Sequence, residues 1–210
     1  MSEVETLKLL AIKALKFQQY ILRRAWGLYY AVWSLSFVLW LILPYSVSIF
    51  YPKAGFYAYL FAYSLPALVG MVVTNWIFRR ARRTIELRRL TFGRSKKSAA
   101  STNLIPWLIF FAIILSAFIF PNVTFYYVYS GFLVILDYFI YKTLRYSFER
   151  IPVEGYIAIA TFTLSVAITA IALTFTKSYF IFILGWTPSI AGWLFSSIYS
   201  LYHAPESMVE

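Results

Sequence analysis

Six stretches of about twenty apolar residues, at roughly 25–43, 56–78, 104–120, 123–141, 153–175 and 179–201, constrain this chain more than any motif in it. Each is long enough to cross a hydrocarbon core of about 30 Å as a helix. Lipid offers no water to the backbone, so a segment that crosses must satisfy its own N–H and C=O groups, and a helix does so within one run of chain. Ala25–Leu43 holds no ionisable group other than tyrosine, and Ile151–Thr176 holds only Glu154 besides Tyr156. Charged residues make up 13% of the chain, about half of what a soluble domain uses to cover its core. The fold class that follows is all-α, a polytopic membrane protein whose six transmembrane helices form three hairpins.

The hairpins span 25–78, 104–141 and 153–201, and their turns are short. Pro44 and Pro52 mark the first, Pro121 and Asn122 the second, and Lys177 the third. Of the 19 lysines and arginines, all but Lys53 and Lys177 fall in the N-terminal arm, in 79–97 or in 142–150. Basic loops resist translocation, so that side is expected to be cytoplasmic, with both termini on it and the chain in the plasma membrane. The apolar run after the arm exceeds the usual signal-peptide layout, and span one is read as an uncleaved anchor. The lack of cysteine rules out disulfides and thiolate chemistry within the chain.

Residues 2–24 carry a pattern of their own. Leu7, Leu10, Ala11, Ala14, Phe17 and Ile21 share one face of a helical wheel, with Lys8, Lys16, Gln19 and Arg23 opposite. That segregation predicts an amphipathic helix lying in the cytoplasmic interface, ahead of the first span.

Residues 79–103 follow span two and begin "RRARRTIELRRLTFGRSKK". No breaker occurs until Gly93, so span two is expected to run on as a basic helix, followed by a flexible tether. Arg79, Arg80, Arg82, Arg83, Arg88 and Arg89 surround Ile85, Leu87 and Leu90. This places an apolar edge within a positive field, a surface for anionic lipid headgroups or for an acidic groove on a cytoplasmic protein. Nucleic acid is not expected, because no aromatic residues interleave with the arginines.

Inside the expected spans the polar inventory is short. Asp137 is the only acid deep within one, and a carboxylate in lipid calls for a cation, for which Arg24, Arg79 and Arg80 are the candidates. It reads first as half of a boundary ion pair, and second as a proton or substrate site. Asn75 reads as an interhelical hydrogen bonder. Thr161, Ser165 and Thr169 repeat at i, i+4 and i+8, a stripe that suits close helix packing and, as the alternative, the lining of a pathway. Pro66 and Pro188 each free a carbonyl one turn back, which predicts kinks at similar depth and a hinge between them.

Catalysis and cofactors are argued against by elimination. The single histidine, His203, excludes a bis-histidine haem or a His-rich zinc site within one chain. There is no HExxH, no nucleophile elbow and no glycine-rich phosphate loop, so the chain is read as a non-enzyme without metal or cofactor. The arm, the six spans and the charged cytoplasmic helix between spans two and three resemble the layout of exporter-type permeases of ATP-driven transporters. In those the arm and that loop meet the ATPase subunit. The chain departs from that layout in leaving almost no room for outer re-entrant helices between spans five and six. The resemblance implies a membrane subunit of a transport system that acts with a cytoplasmic partner such as an ATPase, or through homo-oligomer formation, on an apolar or lipid-like substrate. The alternatives are a non-transporting scaffold or an oligomeric channel, and then a membrane enzyme.

Overall fold

In a computed structural model of the chain, residues 3–53, 55–91, 108, 124–148, 150–172, 175 and 179–206 are described. They are almost entirely helical, apart from short turns, and include no strand. In order the helices are α1 (Glu3–Phe50), α2 (Phe56–Thr91), α3 (Thr124–Ser147), α4 (Val153–Ile171), α5 (Tyr179–Gly185) and α6 (Thr187–His203). Among the described residues, Leu9–Phe50, Tyr57–Arg79 and Val153–Ile171 are long and apolar enough to cross a membrane. The span expected at 104–120 lies almost entirely outside the described residues, and so do the tether and its Gly93 cap.

The chain divides into two compact units, residues 1–88 with 193–210, and residues 89–192. In the first, α1 and α2 form a long hairpin. With 48 residues, α1 is about 72 Å long at the usual helical rise, more than twice the thickness of a bilayer core. The arm and span one are therefore one unbroken helix, where the sequence pattern had predicted a separate interfacial segment ending at residue 24. The reason is local: that boundary was a change of polarity at Arg23 and Arg24, and arginine is a strong helix former. What does change there is packing. Leu9, Leu10, Ile12, Leu15 and Phe17 are exposed, whereas Leu22, Ala25, Trp26 and Tyr30 are buried.

Aromatic and small residues hold this unit together. Trp193 of α6 lies among Tyr29, Tyr30 and Phe37 of α1, with ring centroids 5.7, 5.9 and 5.3 Å away. Trp26 meets Phe78 of α2 edge-on at 5.3 Å, and the Trp33 indole N–H donates to Thr74 Oγ1 at 3.0 Å. Gly27 lets Ser200 and Leu201 of α6 approach α1, where the Ser200 hydroxyl donates to the Arg23 carbonyl at 2.8 Å. Lipid tails are as apolar as leucine, so such close fit and hydrogen bonding, rather than the hydrophobic effect, hold membrane helices to each other.

In the second unit only five residues separate α3 from α4, too few for anything but a tight reversal, which makes them antiparallel neighbours. Pro152 stands at the N-cap of α4 and Glu154 in its first turn, buried, where the positive end of the helix dipole favours a carboxylate. The expected sixth span is broken at Trp186 into α5 and α6. Pro188 is the second residue of α6, where proline costs no helical hydrogen bond, so the interruption falls at Gly185–Trp186 and not at the proline itself. Pro66 lies within α2, which continues through it.

Candidate functional site

The break before α6 creates a helix N-terminus, whose first N–H groups have no partner within the helix. Pro188 has none to satisfy. The next, that of Ser189, donates to Ser165 Oγ of α4 at 2.9 Å, so one helix is capped by a side chain of another. The Ser189 hydroxyl lies 3.4 Å from the Thr161 carbonyl, which accepts from it. Thr161 donates its own O–H to the Ile157 carbonyl at 2.8 Å, and Thr169 donates to the Ser165 carbonyl. Ser165, Thr169 and Ser189 are fully buried.

Glycines close this seam on the α5–α6 side. Gly192 lies directly against the Thr161 side chain, and Gly185 faces Ile168 and the backbone of Thr169. The hydroxyl stripe thus occupies a tight contact between α4 and α5–α6, with the Thr161 and Thr169 O–H groups spent on carbonyls of their own helix and Ser165 Oγ accepting from α6.

Asp137 of α3 meets α4 at a different face. Thr163 Oγ1 lies 2.5 Å from Asp137 Oδ2 and donates to it, and Thr163 also lies 2.9 Å from the Ile159 carbonyl. The second carboxylate oxygen, Oδ1, is buried with no hydrogen-bond partner among the described residues. Within its unit, then, Asp137 takes a hydroxyl where a cation had been expected. The Arg24 guanidinium donates to Tyr20 at 3.1 Å, and Arg79 is exposed. Sequence reasoning missed Thr163 because it lies off the 161–165–169 stripe. The available signal was symmetry: residues 137 and 163 stand equally far from Arg150 in the turn, which puts them level in an antiparallel hairpin.

Asn75 is exposed and accepts from Arg82 of the same helix at 3.3 Å, a bond within α2 where one between helices had been expected. Around it α2 passes from apolar to basic without interruption. Ile77, Ala81 and Thr84, at i, i+4 and i+7, are buried, while Arg79, Arg82 and Arg83 are exposed. Over residues 79–84 the described side chains of the basic segment are therefore packed on one side and charged on the other. The side chains of Arg80, Ile85, Leu87, Arg88, Arg89 and Leu90 lie outside the described residues. No family model matches the chain, and no curated protein or solved structure is significantly similar to it.

Proposed function

We propose that this chain is the membrane-embedded subunit of a transport system, with six spans and both termini in the cytoplasm of a cell whose plasma membrane it occupies. It acts with a cytoplasmic partner such as an ATPase, on an apolar or lipid-like substrate. The observation that carries this reading is the continuation of α2. A basic cluster that only fixes topology has no need of a buried face, yet Ala81 and Thr84 are buried at the start of this one, so that Arg79, Arg82 and Arg83 are presented from a supported turn of helix. A supported charged helix transmits force and orients a partner; a loose basic loop does neither.

A second reading, a non-transporting scaffold or oligomeric channel held to anionic lipid by 79–97, draws support from the close packing of the hydroxyl seam among the described residues. Purification of the whole chain in mild detergent separates the two. A stoichiometric ATPase co-purifying with it supports transport, and a lone oligomer supports the second reading. If a protein partner is found, Ile85, Leu87 and Leu90 changed together to Ser should release it at a salt concentration that already screens the arginines, because apolar burial is not screened. Retention of the partner would rule out docking on that edge.

A further inference from the structure

At the turn end of the α1–α2 hairpin lies an open pocket with a volume of about 820 Å³. Leu43 and Val47 of α1 and Ala58 and Leu65 of α2 line its body, and Tyr51 and Lys53 stand at the turn. The body is apolar and the mouth carries a cation. From Tyr51 to Leu43 is eight residues, about 12 Å at helical rise, comparable to the half-thickness of a hydrocarbon core. Tyr45, Tyr51 and Tyr57 are all strongly exposed around this end of the hairpin, the position that amphipathic aromatic rings take at the headgroup level. The pocket mouth therefore falls at headgroup depth and its body at acyl-chain depth.

Charge selects the headgroup. No Asp or Glu occurs between Glu5 and Glu86, so no nearby acid in sequence offsets the Lys53 ammonium, which is exposed in the turn. We propose that this pocket holds the acyl chain of one anionic membrane lipid, with its phosphate at Lys53. An anionic lipid brings a net negative charge to that ammonium, whereas a zwitterionic one brings its own cation as well. The site stands apart from the transport reading, since a lipid bound here would serve a transporter and a scaffold alike.

The test uses the full chain, delipidated in detergent and titrated with phosphatidylglycerol or phosphatidylcholine, with retained lipid read by native mass spectrometry. Phosphatidylglycerol should be retained about five-fold more strongly, the worth of one lysine beside an anionic surface. Lys53→Gln should erase that preference while leaving the weaker retention common to both lipids, and Ala58→Phe, which fills the pocket, should reduce both. Equal retention of the two lipids by the unaltered chain, or a preference that survives Lys53→Gln, overturns the proposal. So does a dimer that dissociates in Ala58→Phe, which would seat a second copy in the pocket. Lys53 is an exposed turn residue, so its variant decides the matter if Ala58→Phe does not fold.

Discussion

Replacing Gly192 by alanine should damage the second unit out of proportion to the single methyl added. A Cβ at that position would stand 2.6 Å from Thr161 Cβ, and nearer still to its Oγ1 and Cγ2. Carbon atoms pack best at about 3.5–4.0 Å, so α6 and α4 would have to part by on the order of 1 Å. Thr161 cannot turn aside cheaply, since it is β-branched and its hydroxyl is bonded to the Ile157 carbonyl at 2.8 Å. The Ser189 N–H to Ser165 bond, one turn away, would stretch with the separation. Overpacking costs about 1–3 kcal/mol and a membrane hydrogen bond about 0.6, against about 1 kcal/mol gained when alanine replaces glycine in a helix, so the net loss is about 0.5–2.5 kcal/mol. Reversible unfolding in a denaturing-detergent titration measures it. A double-mutant cycle gives the sharper check. Thr161→Gly should restore the fit, while Thr161→Ala should not, because it keeps the Cβ that clashes. A Gly192→Ala protein as stable as the unaltered chain, or one rescued equally by both second changes, would refute this account of the seam.

The same titration tests further consequences. Gly131→Ala meets no atom within 4 Å and should stabilise α3 by about 0.5–1 kcal/mol. Thr163→Val removes the donor to Asp137 and should cost about 0.6–1.7 kcal/mol, whereas Asp137→Asn keeps an acceptor there and should cost less; a silent Thr163→Val would show that the pair contributes nothing. Ala81→Leu should destabilise the first unit by about 1–3 kcal/mol, with Arg82→Gln and Arg83→Gln within about 0.5 kcal/mol of the unaltered chain, and the reverse order would remove the support claimed for α2. Single cysteines at Lys53 and Lys177 should react with an impermeant reagent from outside, and at Ser95 and Ser207 only after lysis; any exchange between those pairs disproves the orientation.

Much of the helical content was readable from the apolar runs, because lipid leaves a crossing backbone almost no alternative. The continuation of α2 past Asn75 was readable too, since no breaker intervenes. Helix limits were harder. Residues 23–24 looked like a boundary because polarity changes there, but backbone hydrogen bonding responds to propensity and not to polarity, and α1 runs through. Pro188 looked like the point of interruption, yet proline is at home in the first turn of a helix, and the break took the preceding residues.

The candidate site divides in the same way. Periodicity along α4 sufficed to place Thr161, Ser165 and Thr169 on one face, since that follows from 3.6 residues per turn. It could not say that Ser165 caps α6, that Gly192 is the surface Thr161 meets, or that Asp137 would take a hydroxyl from Thr163. By itself the sequence determined the class of solvent, the helices and the distribution of charge, which are summed over many residues and survive local error. Tertiary structure alone decided who bonds to whom, because a hydrogen bond or a 2.6 Å clash depends on the register of two helices, and a shift of one residue rotates each face by about 100°.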